Sequence, residues 1–205
     1  MKHKQWNILS NEIVFELAEK NMKYDEALLE NLAPNQTIER FYIWKQPGIT
    51  FSYKQECPLK MHHLDASKRI TGGGIVFHSP GDIVFSITGW KNDPNYPVKM
   101  KEKLQKISSR VSLAIQNTGV RIDSESKLSS KDMDYCQTYP TPFEISINGQ
   151  KVLGLTIRQF RLKWLIQGVI HTKPTHISLR EFTQSQIKSN LDEKAILLNI
   201  LNYSK

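Results

Sequence analysis

Residues 143–157 read FEISINGQKVLGLTI, and their pattern decides the fold. Phe143, Ile145 and Ile147 alternate with Glu144 and Ser146, the period of a half-buried strand. Asn148-Gly149 then supplies two residues that tolerate positive φ, the strongest short-range signal for a hairpin turn. The turn predicts a return strand along Lys151 to Ile157. A lysine just past such a turn is ordinarily a solvated edge residue.

Outward from this hairpin, a further strand is expected over Leu162 to Ile170, then helical segments near Leu179–Ile187 and Asp192–Leu201. Upstream, Leu104, Ile107, Val111, Leu113 and Ile115 give helical spacing within Val98–Asn117, with Gly119 where a C-terminal cap belongs. Residues 124–134 are rich in Ser, Lys and Asp and read as an exposed, mobile loop. Two apolar segments, Gly74 to His78 and Ile83 to Ile87, flank Ser79-Pro80-Gly81-Asp82. Two strand-like runs, Ile38 to Trp44 and Ile49 to Tyr53, are joined through the turn signal Gln46-Pro47-Gly48. Near the start, Ser10 can cap a helix whose apolar positions are Ile13, Leu17, Met22 and Leu28, running up to Leu32. There is no internal repeat and no linker. The expectation is a single α+β domain over residues 1–205, with a mostly antiparallel mixed sheet flanked by helices.

The chain has 205 residues, 39% hydrophobic and 23% charged, which suits one hydrophobic core. No apolar run reaches the ~20 residues of a membrane span. Met1 to Asn11 is basic without an apolar stretch behind it, unlike a secretory signal. The two cysteines, Cys57 and Cys136, are expected to be free thiols in a reducing cytoplasm. Neither C-x-x-C nor H-E-x-x-H occurs, so no metal site is visible. Lys plus Arg exceed Asp plus Glu by 28 − 20 = 8, which calls for an acidic partner: nucleic acid, an anionic membrane or an acidic protein.

Three segments could carry chemistry. In Lys68–His78 the glycines Gly72, Gly73 and Gly74 leave backbone N–H groups unshielded, while Arg69 can pair with a carboxylate or phosphate. Taken alone, the triplet reads more readily as a flexible turn entering a strand; Arg69 before it and His78 after it bring the two readings level, and its spacing fits neither a Walker loop nor a dinucleotide fingerprint. Lys151 is the second. Cys136 is the third: it follows a polar loop, and a nearby ammonium would favour its nucleophilic thiolate. Cys57, in Glu56-Cys57-Pro58, has no such partner and reads as structural.

The order of these segments resembles the lipoyl/octanoyl protein ligase and transferase family, the lipoate side of the biotin/lipoate ligase superfamily. Asn21 to Leu29 resembles that family's first-helix signature. Arg40 to Trp44 followed by Ile49 to Gln55 resembles its first hairpin. Arg69-Ile70-Thr71-Gly72-Gly73-Gly74, with His78-Ser79-Pro80-Gly81 after it, resembles its substrate loop. Cys136 with Pro140 and Glu144, then Gly149 to Gly154, is similar to the cysteine and lysine segments of cysteine-dependent octanoyltransferases. Three places depart from the pattern: Ser52 where glycine is usual, the run Leu155-Thr156-Ile157 where Ser-Ala-Gln is common, and Gln167 in place of a histidine.

The resemblance implies a biotin/lipoate ligase-like fold and transfer of an octanoyl or lipoyl group onto a lysine of an acidic lipoyl domain. Such acceptors belong to the E2 component of 2-oxoacid dehydrogenases and to the glycine cleavage H protein. On the transferase reading, Cys136 takes the acyl group from acyl carrier protein or an acylated lipoyl protein, Lys151 supports the thiolate and the oxyanion, and no cofactor is needed. On the ligase reading, Lys151 and Arg69 grip a lipoyl-adenylate made with ATP and Mg. In either case Thr71, Gly72, Gly73, Gly74 and Gly154 line the acyl tunnel and His78 orders the loop. The end at Lys205 leaves no room for an accessory domain, and a cytoplasmic monomer without nucleic-acid or membrane partners is expected.

A nucleic-acid-binding module is the alternative class. Lys151, Arg158, Arg161, Lys163 and Lys173 form an acid-free stretch interleaved with Phe160 and Trp164, as in single-strand binders. The glycine loop and the Cys136/Lys151 spacing favour the enzyme, and the net charge then suits an acidic protein partner, steered by a basic stripe after Lys151.

Overall fold

The computed structural model describes residues 7–9, 17–44, 46–123, 141–174 and 190–203. Ser10, Ile13, the loop at 124–134, Cys136 and the segment Leu179–Ile187 lie outside them. In chain order the elements are β1 (Asn7–Leu9), α1 (Ala18–Glu30), β2 (Thr37–Ile43), β3 (Gly48–Phe51), β4 (Asp65–Lys68), β5 (Val76–His78) and β6 (Ile83–Trp90). Then follow α2 (Met100–Gln116), β7 (Ile145–Ile147), β8 (Gln150–Gln159), β9 (Lys163–Ile170) and α3 (Glu193–Asn202). The fold is α+β, with a six-stranded sheet in the order β1-β2-β6-β9-β8-β7 and a three-stranded sheet in the order β4-β3-β5. Among the described strands, only β1–β2 and β3–β4 pair in parallel.

The Asn148-Gly149 turn forms as its chemistry requires, with φ of 53° and 73°. β7 and β8 therefore run antiparallel, and β9 continues the meander. In contrast, β2 and β3 are not a hairpin. The chain leaves the larger sheet after Ile43 and enters the smaller one at Gly48. β1 and β4 were not legible either; each is only a few residues long, and Asp-Ala-Ser-Lys shows no apolar alternation.

One face of the larger sheet packs under α2 and α3. Phe41, Ile83, Phe85, Ile87, Trp164, Ile166 and Ile170 meet Ile107, Val111, Ala114 and Ile196 there. The buried stripe of α2 also takes in Lys103 and Ser108, and Leu113, expected inside, is half exposed. The Lys103 ammonium is spent on the carbonyls of Pro97 and Val98 at the helix entry.

α1 lies on the opposite face. Its buried positions are Ala18, Asn21, Met22, Asp25 and Leu29, whereas Leu17 is exposed. The apolar spacing thus located the helix but not its inner stripe, because two of the inner positions are polar. Both ends are satisfied from a distance: the Ala18 N–H donates to the Asp65 carboxylate at 3.0 Å, and Lys163 Nζ donates to the carbonyls of Leu29 and Glu30.

Candidate active site

Strand alternation sorts the residues that matter. On β2, β6 and β9 the side chains of Phe41, Phe85 and Ile166 face the helical layer. Their neighbours Tyr42, Val84, Gln167 and Val169 face α1 and the smaller sheet. Between the two sheets lies a cavity of about 370 Å³, within the usual range for small-ligand pockets. The cross-strand register lines Tyr42, Val84, Val169 and Gly154 into one row across its floor. The next row is Arg40, Ser86, Gln167 and Thr156. The first row is apolar and the second polar.

Lys151 reaches this cavity through a backbone irregularity. Val152 and Leu153 are both fully buried in the helical-side core, while Gly154 and Thr156 line the cavity. By strict alternation Lys151 would share the face of Leu153. The register of β7 against β8 shifts between Ile145 and Ser146, so the step from Lys151 to Leu153 opposes a single residue. This β-bulge at Val152 turns Lys151 to the cavity side. Its side chain is 3% exposed and forms an ion pair with Glu144, 2% exposed. The solvated edge lysine expected from the hairpin is therefore a buried ammonium. The Glu144 carboxylate also accepts from the Thr141 N–H at 2.7 Å. Burial pushes the Glu144 carboxyl above its ordinary value, and the nearby Lys151 charge and Thr141 bonds only partly offset it.

The glycine loop forms another wall. Gly73 takes φ of 91° and, with Gly74, lines the cavity. Arg69, only 4% exposed, donates to the carbonyls of Gly72 at 2.8 Å and Gly74 at 2.6 Å, and to Thr50 Oγ1 at 3.3 Å. The residue expected to grip an anion thus holds the loop in shape. Thr50 Oγ1 lies 2.9 Å from Nε2 of His78, whose ring stacks on Trp44 at 4.0 Å. Burial, followed by the charges of His171 and Arg69, holds His78 well below its ordinary value, so the ring is neutral. His78 is tied to the glycine loop through Thr50 and Arg69.

A buried polar network closes the cavity beside Gln167. Asp25 accepts from Arg40 at 2.8 Å, Ser86 at 2.7 Å and Gln167 Nε2 at 2.8 Å, and Gln167 Oε1 accepts from Thr71 at 2.6 Å. Of the residues singled out from sequence, Arg69, Gly73, Gly74, His78, Lys151 and Gly154 line one cavity. Thr71 and Gly72 brace it from behind: the Gly72 carbonyl also accepts from Thr156 Oγ1 at 3.2 Å. Cys136 lies outside the described residues. Sequence reasoning gave no site role to Asp25, Met22 or Tyr42; an aspartate at helical spacing from Met22 and Leu29, on the stripe those apolar residues mark, was the available signal.

The basic stretch after Lys151 is not a free stripe. Arg158 donates to the Ile70 carbonyl at 2.7 Å and covers the Tyr53 ring, while Lys163 caps α1. Trp164 is 1% exposed and donates to the Trp90 carbonyl, so its ring offers no face to a base. Burial raises the Cys57 thiol pKa, which suits a structural role. Among the described residues, no group of three His, Cys, Asp or Glu side chains is placed to hold a metal, and no helix is long and apolar enough to cross a membrane.

The family model of the lipoyl protein ligase A/B catalytic domain matches residues 18–196. The octanoyltransferase LipM of Carboxydothermus hydrogenoformans is 30% identical over 145 residues, covering 66% of this chain and 54% of that protein. The chain spans about half the length of the curated relatives it matches. A lipoate-protein ligase A bound with ATP superposes with a TM-score of 0.71 at 17% identity, covering 97% of this chain and 83% of the other. The bipartite lipoate protein ligase of Thermoplasma acidophilum, described together with its E2 lipoyl domain, gives 0.68 at 16% identity, covering 98% and 82%. At those identities the solved structures establish a shared fold.

Proposed function

This chain belongs to the lipoyl protein ligase A/B catalytic-domain family, and from that premise we propose that it moves an octanoyl or lipoyl group onto one lysine of a lipoyl domain. The observation that carries the reading is the cavity itself, with an apolar floor of Tyr42, Val84 and Val169 and a buried ammonium, Lys151, in its wall. An eight-carbon chain suits the floor, and a developing oxyanion suits the ammonium.

Cys136 is the nucleophile of this proposal. Its thiolate adds to the carbonyl carbon of a donor thioester, and the tetrahedral adduct collapses with loss of the donor thiolate, which takes up a proton. The neutral amine of the acceptor lysine then adds to the enzyme thioester. The carbon–nitrogen bond forms, the bond to Cys136 sulfur breaks, and the amine proton leaves with that sulfur or to solvent. Lys151 Nζ donates to the oxyanion in both steps. The relative named octanoyltransferase supports this reading. So does the engagement of Arg69, which already bonds two carbonyls and a hydroxyl, so an adenylate phosphate would compete with them for its guanidinium.

The donor is acyl carrier protein or an acylated lipoyl protein, and the acceptor is an acidic lipoyl domain suited to the net charge of +8. The test is a comparison of donors on one lipoyl domain. Octanoyl-acyl carrier protein should leave a hydroxylamine-sensitive adduct on Cys136, absent after Cys136→Ser. Lys151→Ala should lower turnover by about 10²–10³-fold. If the Cys136→Ser protein still modifies the domain from lipoate plus ATP, the reaction is ligation and the transferase reading fails.

A further inference from the structure

Two of the residues that depart from the family pattern meet in the structure. Thr156 on β8 and Gln167 on β9 are direct cross-strand partners, and both line the cavity. Lys151 lies on the other side of the apolar floor. The His171 N–H donates to the Val152 carbonyl, so β8 passes from Lys151 to Gly154, in the floor, and only then reaches Thr156. An acyl chain whose carbonyl sits at Lys151 and whose methylenes lie on that floor has the Thr156–Gln167 pair ahead of it.

The Gln167 amide is clamped. Its side chain is buried, and both ends of the amide are engaged. Asp25, a carboxylate, can only accept, so it takes Gln167 Nε2 at 2.8 Å, and Met22 Sδ lies 3.5 Å from the same nitrogen. Oε1 is left to accept from the Thr71 hydroxyl at 2.6 Å, while Thr156 Oγ1 is held by the Gly72 carbonyl. The strand behind the pair is fixed as well. A Cβ on Gly168 would lie 2.3 Å from Phe85 Cζ, so β9 is seated hard against the helical-side core. Displacing the amide would leave buried polar groups without partners, a cost that an apolar side chain of the same size would not incur.

We infer that Gln167, backed by Thr156, sets the acyl length: its clamped amide ends the cavity and excludes saturated chains longer than octanoyl. The inference rests on the transferase reading for the placing of the carbonyl, but its test does not require turnover.

The full chain is titrated with octanoate and with decanoate by isothermal calorimetry. The parent protein should bind octanoate about tenfold or more tightly than decanoate. Gln167→Ala removes the clamp and opens the wall, and should lose most of that preference. Octanoyl- and decanoyl-acyl carrier protein should show the same change in their ratio of kcat/KM.

A parent protein that binds decanoate as tightly as octanoate, or binds neither, overturns the inference. An unchanged ratio in Gln167→Ala also overturns it, because a merely structural loss weakens both acids alike. If Gln167→Ala does not fold, the comparison passes to Thr156→Ala, which removes a hydroxyl and a methyl from the same wall. A gain of about threefold for decanoate relative to octanoate then supports the inference, and an unchanged ratio overturns it. A parent protein that shows the length cut-off but transfers nothing from octanoyl-acyl carrier protein refutes the transferase reading instead and leaves the length stop in place.

Discussion

The two faces of the six-stranded sheet solve different problems with the same strands. The face under α2 and α3 is filled by apolar side chains, and its buried charge cluster, Glu39 with Arg110 and Tyr96, ties β2 to α2. The face toward α1 and the smaller sheet carries Arg40, Ser86, Gln167 and Thr156 one row from an apolar floor, around an unfilled volume. β2 shows the contrast in two adjacent residues. Glu39 is neutralised by a helix 71 residues downstream, while Arg40 is neutralised by Asp25 on a helix upstream. Close packing makes one face stable. The other face trades packing for hydrogen bonds that keep a cavity open and its walls fixed, which is the arrangement a binding site requires.

The largest effect should come from breaking the polar face at its centre. Asp25 is 1% exposed and accepts from Arg40, Ser86 and Gln167. Asp25→Ala leaves the Arg40 guanidinium buried without its counter-charge, which should cost about 3–5 kcal/mol in chemical denaturation. It also frees Gln167 to turn away from Thr71, so the glycine loop should lose hydrogen-exchange protection in the surviving folded fraction. A cost below about 1 kcal/mol would mean that the network is decorative and the contrast between the faces superficial.

Legibility in the sequence divides along the same line. The β7–β8 hairpin and α2 were readable because their signals are local: an Asn-Gly turn, a helical apolar period and a glycine cap, with Gly119 at φ of 83°. The glycine loop, His78 and Lys151 were readable as a set through the order of their motifs. What escaped was any property fixed by a partner far along the chain. Arg69 looked like an anion grip, but the carbonyls of its own loop claim it. The burial of Lys151 depends on a one-residue register shift that no composition reveals. Gln167 departs from the family pattern, yet its amide fits a carboxylate on one side and a hydroxyl on the other. The separation of β2 from β3 escaped for a related reason: a proline-glycine turn signal gives a change of direction, not the sheet that the next strand joins.

A matched pair of valines sharpens the comparison on a smaller scale. Val111 lies in the packed core, and Val84 lines the cavity floor. Each substitution by alanine removes about 1.6 kcal/mol of transfer free energy, and only the packed site adds roughly 1 kcal/mol for a new void. Val111→Ala should therefore cost about 2.5 kcal/mol and Val84→Ala about 1.5 kcal/mol or less. The functional order should be reversed, with Val84→Ala altering the preference between octanoyl and longer acyl donors and Val111→Ala leaving it unchanged. Equal costs would place Val84 in a filled core and count against an open floor.

The smallest effect is a pH dependence confined to the cavity face. His78 is held well below its ordinary value of 6.5, first by burial and then by His171 and Arg69. A histidine whose folded pKa is depressed stabilises the fold above the unfolded value and loses that contribution as pH falls, because the unfolded chain binds the proton first. From pH 6.5 downward, until the lowered folded value is reached, His78 should remove up to about 1.4 kcal/mol of stability per pH unit. His78→Phe keeps a ring to stack on Trp44 and cannot titrate. Urea unfolding of the parent and this variant at pH 7.5 and pH 5.5 should show the parent losing more stability on acidification. If both lose the same amount, the ring is already solvated in the folded protein, and the wall built from Trp44, His78, Thr50 and Arg69 is open to water rather than sealed.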